Sequence, residues 1–119
     1  MTQEAYVSFE VAKLLKEKGF VTPCDWLYCS NGDFGHRNSL WDKEMFTAPT
    51  QQMAVRWLRE EYEISIEVSA LKRHRWVYTI YRLLEERVVE IWNDGTYVSY
   101  EDAVDAALKY CLENLNKLT

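Results

Sequence analysis

Cys24, Cys29, Cys111, His36 and His74 carry the atoms that a metal ion or a covalent mechanism would need. Their spacing favours neither. Cys24 and Cys29 are five apart across an expected strand, and an odd offset sends their side chains to opposite faces, where they cannot share one ion. A thiol nucleophile needs a His beside it and a third group to orient that His. His36 falls in a segment without clear periodicity and His74 in a basic turn, and neither follows a nucleophile motif. Cys111 sits on an apolar helical stripe, where a thiol serves as a small hydrophobe. No metal ligand, no catalytic residue and no cofactor is assigned, and the reading leans away from an enzyme.

Paired carboxylates have equally plain accounts. Glu60-Glu61 and Glu101-Asp102 fall near helix ends, the second pair where the positive end of the helix dipole favours acids, and Glu85-Glu86 falls in a polar connection. Acid–base work also needs a cleft and shifted pKa values, which these positions do not announce. The four glycines form no phosphate-cradling loop.

One local feature points to a ligand. Lys72, Arg73, His74 and Arg75 precede Trp76 at an expected hairpin tip, and basic side chains beside an aromatic ring can hold phosphates and stack on a base. Charge is uneven around it: residues 68–84 contain four basic residues and no acid, whereas residues 99–119 contain four acids and two lysines. A polar turn that keeps a sheet edge soluble explains the same pattern. The net charge of −5, with pI near 5.0, repels nucleic acid and anionic membranes. Nucleic acid is therefore the second choice of partner, through Lys72, Arg73, Arg75 and Trp76.

Several elements must position these residues. A helix is expected from Ser8, its N-cap, to Lys18, with Val11, Leu14 and Leu15 on one face, Gly19 at C′ and Phe20 folded back on Leu15. A strand over 25–29 ends at the turn dipeptide Asn31-Gly32. Residues 31–47 mix Gly, Asn and Asp with Phe34, Leu40, Trp41 and Phe46. So long a structureless loop is uncommon, and a hairpin is expected there.

Pro49 and Thr50 open a second helix to Tyr62, with Met53, Ala54, Trp57 and Leu58 facing the core. Ile64, Ile66 and Val68 then alternate with Ser65, Glu67 and Ser69, the pattern of a strand with one buried face. Strands over 76–81 and 88–92 complete a meander, the last stopping at Asn93-Asp94-Gly95. Leu83 to Arg87 reads either as a strand connection or as a short helical turn. A final helix begins at Ser99 and carries Val104, Ala107, Leu108, Cys111, Leu112 and Leu115 as one stripe laid across the sheet.

The fold expected is thus α+β: an antiparallel meander of three or more strands packed against two to three helices, in the order α-β-α-β-β-β-α. Its 119 residues suit a single domain over 1–119, with 48% apolar and 28% charged residues in support of a fixed core. Aromatics reach 14%, including five Trp and eight Tyr, which suits an aromatic-rich sheet or a contact surface. No run approaches a membrane span. Met1 to Ala5 lacks the basic and apolar regions of a secretory signal, and three Cys form no disulfide framework, so reduced thiols and a cytoplasmic location are expected.

Three stretches carry a resemblance: Tyr6-Val7-Ser8-Phe9-Glu10-Val11-Ala12; Ala48-Pro49-Thr50-Gln51-Gln52-Met53-Ala54 with Arg56-Trp57-Leu58-Arg59-Glu60; and Ser99-Tyr100-Glu101-Asp102-Ala103 with Ala107-Leu108-Lys109-Tyr110-Cys111-Leu112. Together they resemble a group of small proteins from gut Bacteroides genomes and their phages or other mobile elements. The match spans nearly the whole chain. Because these motifs are caps, helix faces and turns, the resemblance implies a shared fold and a setting among accessory binders of host or element proteins. It assigns no site residue. The expected function is therefore a non-enzymatic accessory or protein-interaction domain, with an unassigned protein partner or a second copy as ligand. Weak nucleic-acid binding through residues 72–76 is the alternative, and an enzyme with a concealed site is the third.

Overall fold

The computed structural model describes residues 5–38, 44–83 and 87–118, with residues 87–96 described by their backbone alone. Helix α1 (Phe9–Glu17) starts where the Ser8 hydroxyl accepts the Val11 N–H at 3.3 Å. Its end is a Schellman turn: the Phe20 N–H reaches the Leu15 carbonyl at 2.9 Å and that of Gly19 the Lys16 carbonyl at 3.3 Å, with Gly19 at φ +98°. Both ends lie where the residue types direct them.

Residues 31–47 supply two strands, but these do not pair with each other. Strand β1 (Trp26–Cys29) lies between β2 (Phe34–His36) and β3 (Met45–Thr47), both antiparallel to it, in the order β2-β1-β3. The β1–β2 turn is held by the Asn31 side chain, which accepts the Asp33 N–H at 3.0 Å, and by Gly32 at φ +94°. Leu40 and Trp41 of the same stretch lie outside the described residues.

Helix α2 (Gln51–Tyr62) is capped by the Thr50 hydroxyl, which accepts the Met53 N–H at 3.2 Å. Ala54 and Leu58 are buried and Trp57 packs against them, but Met53, assigned above to the core face, is 39% exposed. It projects at the edge of the helix contact, where surface hollows replace packing. Strands β4 (Ile64–Lys72), β5 (Arg75–Arg82) and β6 (Arg87–Tyr97) form the antiparallel meander in sequential order. Here the Asn93-Asp94-Gly95 stop is overturned. Between the pairs Trp76↔Tyr97 and Tyr78↔Trp92, β5 advances two residues while β6 advances five, so the turn-forming residues become a wide bulge inside a longer strand. Of the uncertain 83–87 stretch, Leu83 is a turn and Arg87 opens β6, while Glu85 and Glu86 lie outside the described residues.

Helix α3 (Tyr100–Glu113), capped by Ser99, packs on β4 and β5 and against α1 and α2. Val104, Ala107, Leu108, Cys111 and Leu112 are essentially fully buried. A short helix α4 (Leu115–Leu118), absent from the expected order, seats Leu115 and Leu118 in the same core. Polar links also join α3 to the other helices. The Ser8 N–H donates to Asp105 Oδ1 at 3.0 Å, and buried Gln51 donates Nε2–H to the Glu101 carbonyl at 2.9 Å. No described helix is long and apolar enough to cross a membrane.

Candidate functional site

Strand alternation gives the small sheet an aromatic face. Directly opposed residues of antiparallel strands point the same way, so the pairs Trp26↔His36, Tyr28↔Phe34 and Tyr28↔Phe46 set five rings on one side. Leu27 and Cys29 take the other side and are buried. The face divides at Tyr28. Toward β3, α1 covers it: Phe9 meets Tyr28 and Phe46 at 5.5 and 5.7 Å, while the Lys13 and Lys16 ammonium groups lie 5.0 and 4.8 Å from the Phe9 and Phe46 ring centres.

Toward β2 no described helix covers it, and Tyr6 of the N-terminal segment leans on it. Phe34 stacks on Trp26 at 5.3 Å with ring planes 11° apart, Tyr6 lies 5.5 Å from Phe34 and 6.0 Å from Trp26, and His36 meets the Trp26 ring at 5.4 Å. Tyr6 and Phe34 remain 38% and 42% exposed. Tyr6 is held there from both sides of the chain: it bridges to Thr50, and the neighbouring Val7 N–H donates to the Pro49 carbonyl at 3.1 Å. The Tyr28 hydroxyl donates to the Val7 carbonyl at 2.6 Å, and burial pushes its pKa up, with the Asp105 charge adding to the shift.

Two hollows extend this patch along α2. One, of about 280 Å³, is bounded by Tyr6, Trp26, Cys24, Pro49 and Met53; the next, of about 220 Å³, by Met53, Phe20, Trp57 and Thr22. Each falls below the roughly 300 Å³ at which small-molecule pockets begin. Their charges are internally matched: Arg37 pairs with Asp25 at 3.5 Å and Arg56 with Glu60 at 2.8 Å, and that second pair lowers the Glu60 pKa by a hydrogen bond and by charge.

The residues with reactive atoms are scattered. Cys111 is in the core, Cys29 is buried at the end of β1, and His74 is at the hairpin tip with φ +62°. Cys24 lies outside the strand, two residues before β1. Its thiol donates weakly to the Thr22 carbonyl at 3.5 Å, and burial raises its pKa against a hydrogen bond from Thr47 that lowers it. His36 uses Nδ1 to accept the Asn38 N–H at 3.2 Å. Among the described residues no three His, Cys, Asp or Glu side chains converge as metal ligands.

Lys72, Arg73 and Arg75 do come together at the β4–β5 turn, where Lys72 and Arg75 are cross-strand partners and all three side chains are exposed. Trp76 is separated from them. It pairs with Ala70 and Tyr97 on the sheet face turned toward α3, and its ring meets the Tyr100 ring edge-on at 5.6 Å. The expected grouping of three cations with a stacking ring is therefore a grouping of cations alone. The aromatic patch was not assigned from sequence, although the alternation in Trp26-Leu27-Tyr28 with Phe34 and His36 signals it once the β1–β2 register is known.

No protein-family model, no curated protein and no solved structure matches this chain.

Proposed function

We propose that the protein is a non-enzymatic interaction domain that holds another protein on the Tyr6–Trp26–Phe34 patch and the adjoining α2 hollows. The observation that carries this reading is the clustering of two exposed rings, Tyr6 and Phe34, around half-buried Trp26 on a framework fixed by backbone bonds at Tyr6, Val7 and Thr50. Rigid aromatic side chains bury large area at low entropic cost, which is why they dominate protein contact sites. Ion pairing of Asp25 and Glu60 within the chain leaves recognition to shape and apolar contact. In the setting implied by the resemblance to mobile-element proteins, the domain is an accessory of such an element in the cytoplasm, and its partner is a host or element protein. Nucleic acid fits less well, because Trp76 is already engaged by Tyr100.

Quantitative co-purification from the native cell tests the proposal. The Tyr6→Ala/Phe34→Ala protein should lose at least about tenfold of the retained partner, the scale of removing contact-site aromatics, while Arg73→Glu/Arg75→Glu retains it. Equal retention by the aromatic variant would remove the patch from the function.

A further inference from the structure

We infer that β4 is a self-recognition edge, along which two copies of this chain join antiparallel to make one continuous six-stranded sheet. Strand β4 is an edge strand of nine residues, and among the described residues no backbone group bonds its outer side. Such an edge is a template for a further strand, and on β4 a bulge at Leu71 and the charges near both ends restrict which strand can pair there. Here the protecting charges have opposite signs at the two ends. Glu63 precedes β4 and Glu67 lies in its first half, whereas Lys72 ends it and Arg73 follows in the turn.

Their facing strengthens the point. Pairs Ala70↔Trp76 and Lys72↔Arg75 show that Leu71 is an extra residue, and this bulge turns Lys72 onto the face that carries Ser65, Glu67 and Ser69. None of Glu63, Glu67, Lys72 and Arg73 has an ion-pair partner among the described residues, so these charges are available to a neighbouring strand. A parallel neighbour would set like charges beside each other. With a two-fold axis near Ser69 and Leu71 left as the bulged extra residue, an antiparallel copy instead brings Glu67 of each chain opposite Lys72 of the other, twice, with Arg73 adjoining in the turn. The charges therefore favour an antiparallel copy of this edge over a parallel one.

This surface is separate from the aromatic patch, so the two fail independently. Sedimentation over a concentration series up to about 0.5 mM, where mass action favours association, should show the average mass rising from one 14.2 kDa chain toward two. Glu67→Lys and Lys72→Glu/Arg73→Glu should each weaken association by about tenfold or more, as like charges then face each other. An equimolar mixture of these two variants should recover the dimer mass, because both contacts are complementary in the mixed pair. Tyr6→Ala/Phe34→Ala should dimerise like the parent. A parent that stays at one-chain mass, a mixture that stays dissociated, or a dimer abolished by the aromatic variant would each overturn the inference.

Discussion

Cys111 shows what burial does to a group that could otherwise react. Its side chain is fully buried on the inner stripe of α3, and loss of hydration pushes the thiol pKa from its ordinary 9.0 to about 12. The folded value lies above the unfolded one, so as pH rises the unfolded chain ionises first and gains the proton-release free energy. The contribution to stability is complete below pH 9.0 and is lost as pH climbs toward 12. Denaturant titrations over that window should show unfolding free energy falling by up to about 1.4 kcal/mol per pH unit. Cys111→Ala should fall less steeply. Equal slopes for the two proteins would show that the thiol ionises as easily folded as unfolded. Gln51 is the residue of opposite kind: a buried polar side chain kept because its amide closes the α2–α3 contact at the Glu101 carbonyl.

At the scale of elements, two glycines are needed for their backbone conformation. Gly19 closes α1 at φ +98° with nothing near the position of an added Cβ, and Gly32 turns β1 into β2 at φ +94° with Phe9 at ordinary contact distance, 3.4 Å, from that position. Gly19→Ala should cost about 1 kcal/mol, the penalty for a left-handed L-residue. Gly32→Ala should cost a similar amount, because the left-handed φ is the shared penalty and the added methyl meets the Phe9 ring at ordinary van der Waals distance. Denaturation midpoints of the two variants compare the effects. A markedly larger cost at Gly32 would mean that the Phe9 ring, held against Tyr28 and Phe46, resists even that contact.

Across the whole molecule, charge decides between partners. Three cations at one hairpin tip can neutralise about three phosphates and give a single-strand salt slope near −2, but they project from a body of net charge −5. Binding of fluorescent single-stranded DNA or RNA at physiological salt should be no tighter than about 100 μM, within the weak nonspecific range. Titrations at two salt concentrations, repeated with Arg73→Glu/Arg75→Glu, measure this. Micromolar binding abolished by those two changes would place the hairpin tip ahead of the aromatic patch.

Local chemistry made much of this fold legible. Ser8, Thr50 and Ser99 cap helices because a short hydroxyl side chain bonds the next free N–H groups, and Gly19 ends α1 because it adopts positive φ without cost. The α3 stripe and the β4 alternation followed from helix and strand periods, which need no knowledge of the partner element. What neighbours decide lay beyond reach. Asn93-Asp94-Gly95 has turn chemistry, yet pairing with β5 on both sides absorbs it as a bulge. Met53 has the helical phase of a core residue, but the packing of α2 leaves it at the surface. Trp76 is next to the cations in sequence, and strand alternation puts it on the opposite face, against Tyr100. The aromatic patch needed most from tertiary structure, because Tyr6, Trp26 and Phe34 meet only after β1 and β2 have taken their register and the Tyr6–Thr50 bridge has drawn the N-terminal segment across them. Residue types alone determined the caps, the periods and the stripe, since those are interactions within one element. Long-range pairing decided which rings share a surface and which charges face solvent, since the free energy of those contacts exists only between elements already in place.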